Sequence, residues 1–187
     1  MAPIFIIEHL DPKVWEWSFI EYRHISHHVG KNNLWFTNVK DGAAKLRKLG
    51  KVFRESVTAL KPANACILES KGKQTLAPAD KKFDYFIFGG ILGDYPEVGK
   101  SHVIMKKLPK TTVKNLGKDQ MSTDTAVLVT KTILGGTPMS KIPFQNGVEI
   151  EIGSMESIEL PYKYILRDGE PHLPPGLVTM LRKQKGF

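Results

Sequence analysis

The chain has 187 residues, 41% of them hydrophobic and 25% charged, with a net charge of +8. No apolar run approaches the length of a membrane span, and a single cysteine, Cys66, excludes an intrachain disulfide. What is left is an ordinary globular composition, sufficient for one domain over residues 1–187 with a substantial core.

The N-terminus reads without the basic n-region and cleavage site of a signal peptide, which with the lone cysteine points to a reducing cytoplasm. Pro3 to Ile7 reads as a short buried strand with Glu8 and His9 at its end. Asp11 followed by Pro12 is a helix start, and the helix runs to about His28 and stops near Gly30. Trp15, Phe19 and Tyr22 fall at i, i+4 and i+7 and predict a core-facing stripe. Asn33 to Thr37 is a second strand. Asp41 to Leu49 and Val52 to Leu60 read as helices broken at Gly50. Ala65 to Leu68 is a third strand, with Cys66 as a core residue.

Phe83 to Phe88 is a fourth strand, and it runs directly into Gly89, Gly90, Ile91, Leu92, Gly93 and Asp94. Ligands in open α/β sheets collect outside the carboxyl ends of strands, and glycines there let main-chain groups approach with no Cβ in the way. Ser101 to Leu108 is a short helix, Thr111 to Leu116 a fifth strand ending at Gly117, and Ser122 to Leu134 a helix capped by Ser122, Thr123 or Asp124. Val148 to Ile152 and Ser157 to Leu160 alternate as antiparallel or edge strands, and Pro174 to Lys185 is a basic helix. This alternation predicts a mostly parallel sheet with helices on both faces.

Several chemistries are unsupported. Gly93 to Ser101 ends in Gly-Lys-Ser, but five residues separate its glycines where a phosphate loop needs four. No Gly-x-Ser-x-Gly elbow exists for a serine hydrolase. His24 and His28 share a helical face, yet nothing else in the sequence converges on them, so a solvated helix end with no metal is expected. The positive charge favours polyanionic surroundings such as RNA, although no RNA-recognition strand motif, zinc knuckle or arginine-rich tract appears.

Phe88 to Asp94, Asn115 to Gln120, Ser122 to Ala126 and Leu160 to Tyr164, with the opening Ile6-Ile7-Glu8-His9, together resemble the SPOUT methyltransferases. Within them the likeness is to the fungal SPOUT-type protein arginine N-methyltransferase, which modifies a small-subunit ribosomal protein. The resemblance covers nearly the whole chain. It implies a C-terminal deep trefoil knot, S-adenosylmethionine as methyl donor, an arginine of a small-subunit ribosomal protein as acceptor, possible rRNA contact and no membrane.

By the same resemblance Phe88, Gly89, Gly90, Leu92 and Gly93 line the first cofactor loop. Asn115, Leu116 and Gly117 line the second, and Leu160, Pro161 and Tyr162 the last, with Gln120, Met121, Ser122 and Thr123 beside them. An arginine acceptor needs a carboxylate to orient it and take its proton, and Glu8, Asp94 and Asp124 are the candidates. Most SPOUT enzymes are dimers. Arg167 is the only arginine near the last motif, so a monomer is expected. RNA methylation on the same scaffold, and a non-catalytic RNA-binding or ribosome-assembly module, are the alternatives.

Overall fold

Alternation along the first strand sets the layering. In β1 (Ile4–His9), Phe5 and Ile7 face one side of the sheet while Ile4 and Ile6 face the other, as the two-residue period of an extended chain requires. The computed structural model describes residues 2–90, 102–153 and 156–183. Along that chain follow α1 (Glu16–Val29), β2 (Leu34–Thr37), α2 (Ala43–Leu46), β3 (Lys51–Val52), α3 (Val57–Leu60), β4 (Ala65–Leu68), β5 (Gln74–Thr75) and β6 (Tyr85–Gly90). Then come α4 (His102–Lys107), β7 (Thr112–Asn115), α5 (Thr123–Leu134), β8 (Phe144–Glu151), β9 (Ser157–Arg167), β10 (Glu170–Pro171) and α6 (Leu177–Lys183).

Seven of these strands form one sheet in the order β3-β2-β1-β6-β4-β7-β5, and its pairings are parallel. Phe5, Ile7, Phe86 and Phe88 pack under Tyr22 and Ile25 of α1 and Val127 and Leu128 of α5. On the opposite face Ile6, Ile67 and Ile87 meet Val57 of α3 and Ile104 of α4. Burial on both faces is why the central strands read as continuous apolar runs. Each such side chain contributes about 1.5–3 kcal/mol, well above the ~0–1 kcal/mol of an exposed ion pair such as Lys163–Asp119. A separate antiparallel sheet, β10-β9-β8, buries Leu160, Tyr162 and Tyr164 against Ile20 of α1 and Leu177 and Leu181 of α6.

Several expected boundaries move, each for a local reason. Helix α1 begins at Glu16 rather than at Asp11 and Pro12. The Leu10 N–H donates to the Gly90 carbonyl at 3.0 Å, so the chain stays with the sheet past β1 and the capping pair is spent before a helix can form. Trp15 becomes the N-cap and is 41% exposed, with the Lys13 ammonium 4.0 Å from its ring centroid; of the expected stripe Tyr22 is buried in the core and Phe19 packs half-buried against it. The helix expected from Val52 to Leu60 is largely strand and loop: Val52 pairs with Phe36, and only Val57–Leu60 is helical. Gly50 explains the turn back to the sheet, because a Cβ there would lie 2.5 Å from the Leu34 carbonyl oxygen. Leu160, Pro161 and Tyr162, expected in a loop, lie inside strand β9.

Candidate active site

Strands β6, β4 and β7 are neighbours and end at the same edge of the sheet. Parallel strands gather their carboxyl ends there, the edge at which such sheets bind ligands. A cleft opens at that edge. The end of β4 supplies Leu68, Glu69 and Ser70, β6 supplies Phe88 and Gly89, and the turn after β7 supplies Leu116 and Gly117. Gln120, Met121, Thr123 and Ala126 complete the wall as the chain enters α5, and Asp119 borders it.

The second bend is fixed by Asn115. Its Oδ1 accepts from the Gly117 N–H and from the Thr75 hydroxyl, both at 3.0 Å, and its Nδ2 donates to the Gly72 carbonyl at 2.6 Å. Gly117 sits at φ +93°, a left-handed conformation that strains any side chain. Asn115 therefore shapes the cleft without lining it. The hairpin closes another side: the Lys163 N–H donates to the Gln120 carbonyl at 2.8 Å, and its ammonium pairs with Asp119 at 2.8 Å.

Glu69 is the unusual group in this wall. It is 5% exposed; Oε1 accepts from the Ser70 hydroxyl at 3.0 Å, and Oε2 is buried with no hydrogen-bond partner among the described residues. A buried oxygen left unpaired costs about 1–3 kcal/mol, a cost that a ligand donor in the cleft would remove.

Other expected residues fall elsewhere. Gly90 faces the core, where a Cβ would stand 2.6 Å from both Ile7 Cγ2 and Tyr22 Oη; its missing side chain admits Tyr22, not a ligand. Strand alternation turns Leu160 and Tyr162 into the hairpin core, and it is Lys163 that bonds to Gln120 and Asp119 of the cleft wall. Ser122 donates to Asp124 Oδ1 at 2.7 Å at the start of α5. Leu92, Gly93 and Asp94 lie outside the described residues.

Neither described catalytic candidate offers a free oxygen. Glu8 Oε2 accepts from the Thr37 hydroxyl (2.5 Å) and the Val57 N–H (2.9 Å), and Oε1 accepts from the Ser56 hydroxyl (2.6 Å). It fastens the loop before α3 to the end of β1. Asp124 is fully buried, with Oδ2 at 2.8 Å from His24 Nδ1 and Oδ1 held by Ser122. The helix end expected to be solvated is thus anchored: His24 is 3% exposed, and His172, from the segment after β10, joins it and His28. Burial, then His24, holds the His28 imidazole down to about 4; burial and Arg167 lower His172. Cys66 is buried and its thiol is pushed up to about 12 by that burial, which leaves it a core residue.

Residues 4–186 match the family described as "Protein arginine N-methyltransferase SFM1-like". The chain belongs to that family of protein arginine N-methyltransferases. It is 33% identical to protein arginine N-methyltransferase SFM1 of Saccharomyces cerevisiae, over 96% of this chain and 94% of the relative. A crystal structure of yeast SFM1 complexed with SAM has a TM-score of 0.90 at 30% identity, covering 98% of this chain and 91% of that one. Trm10 from Thermococcus kodakaraensis is 14% identical with a TM-score of 0.58, covering 74% of this chain and 96% of that one, and shares the fold alone. The parallel sheet of this SFM1-like chain is the SPOUT-type α/β arrangement that its motifs imply. Among the described residues no helix is long and apolar enough to cross a membrane.

Leu68, Glu69 and Ser70 lie outside every motif, and Asp119 and Ala126 lie inside motifs without a role assigned to them. For Glu69 a signal existed, an acid directly after a buried strand, the same one that drew attention to Glu8.

Proposed function

We propose that this SFM1-like protein uses S-adenosylmethionine to methylate an arginine of a small-subunit ribosomal protein, acting in the cytoplasm as a single-domain monomer. The observation that carries the reading is the spare Glu69 oxygen inside a cleft at the carboxyl ends of three neighbouring parallel strands. S-adenosylmethionine carries the donors that would satisfy it, a ribose diol and an ammonium group. Phe88, Leu116 and Met121 offer apolar surface for an adenine, and Gly89 and Gly117 line the cleft with no Cβ to block its approach.

When bound, the cofactor supplies an electrophilic methyl group. The chain's own residues must hold the acceptor in line with it. A guanidinium has no free lone pair, so a carboxylate must orient it and receive its proton as the methyl arrives. Asp119 suits that task among the described acids of the cleft, since its side chain is 53% exposed. An arginine entering there would take over the carboxylate from Lys163. The net charge of +8 supports approach to a protein embedded in rRNA. Arg167 does not line the cleft among the described residues, in keeping with protein rather than dimer-dependent RNA chemistry. The knot implied by the SPOUT likeness belongs to the same reading, supported by the return of β9 past Gln120 and Met121.

The test is incubation of the purified protein with small ribosomal subunits and methyl-labelled S-adenosylmethionine. Label that survives nuclease, is lost to protease and maps to one arginine by mass spectrometry is expected. Label lost to nuclease would transfer the reading to RNA, and no label in either would overturn it.

A further inference from the structure

Three histidine nitrogens meet at one point on the far side of α5's first turn from the cleft. His24 and His28 stand one turn apart on α1, and His172 approaches from the segment between β10 and α6. Their Nε2 atoms are 3.0 Å (His24–His28), 3.2 Å (His24–His172) and 3.3 Å (His28–His172) apart. We propose that these three nitrogens bind a zinc ion, clipping the C-terminal segment to α1 and leaving a fourth coordination position for water.

Hydrogen bonding alone accounts poorly for this triangle. A neutral imidazole nitrogen presents either one N–H or one lone pair in its ring plane, so three such atoms in mutual contact cannot all satisfy one another. The tautomer of His24 sharpens the conflict. Its Nδ1 lies 2.8 Å from the Asp124 carboxylate, which accepts; Nδ1 therefore carries a proton, and in the neutral ring this leaves the Nε2 lone pair facing the other two rings. A cation takes all three lone pairs at once. With zinc–nitrogen bonds of about 2.0–2.1 Å, ligand nitrogens at tetrahedral angles stand about 3.3 Å apart, close to the spacing found.

The surroundings are also those of a metal site. Asp124 behind His24 forms the carboxylate–histidine pair that orients metal ligands and raises their basicity. Asp124 is held in turn by Ser122, and Glu21 is buried close to it. Arg167 acts on His28 and His172 with a like charge to the ion, which the Asp124 carboxylate behind His24 offsets. Those two rings are only half-buried, which gives an ion and a water a route in. Neutral imidazoles suit zinc as they do copper, iron and nickel, and three of them with an open fourth position are a zinc donor set.

The experiment uses the full chain without an affinity tag, stripped with a chelator and titrated with zinc chloride by calorimetry, with cobalt(II) as a spectroscopic stand-in. One zinc per chain, tetrahedral cobalt absorption and a zinc-dependent rise in Tm are expected. His172→Ala and His28→Ala, checked for native circular dichroism without metal, should each lose at least about tenfold in zinc affinity and the Tm response, and Asp124→Asn about 10–100-fold in affinity. No stoichiometric binding, or unchanged zinc affinity and cobalt spectra in both folded histidine variants, would overturn the site. All of these readouts are independent of methyl transfer.

Discussion

The carboxyl ends of β1 and β4 each present a buried glutamate, and the two environments are opposites. Glu8 has three donors on its two oxygens, and beside it Gly90 is packed against Ile7 and Tyr22. Glu69 has one donor, a spare buried oxygen and a cleft in front of it. The β1 end is closed by the protein's own groups, whereas the β4 end is left for a ligand. An acid at a strand end is therefore not by itself a site; its unspent hydrogen-bonding capacity distinguishes the two.

Variants at both ends can break this contrast. Gly90→Val should have the largest effect, because the new side chain collides with Ile7 and Tyr22 at 2.6 Å from its Cβ alone. A loss of more than about 3 kcal/mol in urea unfolding is expected. A variant of wild-type stability that merely failed to bind cofactor would return Gly90 to the ligand wall. Glu8→Ala comes next. It strands the Thr37, Ser56 and Val57 donors and should cost about 2–3 kcal/mol, with cofactor Kd unchanged in the folded protein.

Glu69→Ala should do the reverse. Stability stays level or rises, since an unpaired oxygen is removed, while calorimetry shows about tenfold weaker S-adenosylmethionine binding, or about 1.4 kcal/mol. Unchanged affinity would mean that the spare oxygen is not a ligand site. The smallest effect concerns Glu21, whose carboxyl is raised well above its ordinary 4.5 by burial and then by Asp124. The native state holds that proton more tightly than the unfolded chain, so its stabilising effect is complete below about pH 4.5 and is lost as pH rises through the raised value. Glu21→Gln should flatten that decline in a plot of unfolding free energy against pH; an identical slope would assign it to other groups.

Much of the sheet was legible because parallel strands buried on both faces are unmistakable apolar runs. Ala65 to Leu68 is legible to the residue and β1, β2, β6 and β7 within one or two, whereas the two-residue edge strands β3 and β5 carry no strand signal of their own. The failures have specific causes. Asp11 and Pro12 carry a helix-start signature, but one extra bond to Gly90 delayed the helix. Val52 reads as helical until Gly50 lets the chain recross Leu34. In the cleft, Gly89, Gly117 and Thr123 carried local turn or cap signals, whereas Glu69 matters only because β4 lies between β6 and β7.

The sequence by itself determined the α/β class, the glycine bends and the family likeness, because these are written in short-range patterns of burial, turn chemistry and motif order. The tertiary structure decided which bends share a cleft, which acids are already spent, and that His172 meets His24 from 148 residues away. Those are outcomes of strand order and long-range packing, and no local pattern of side chains encodes them.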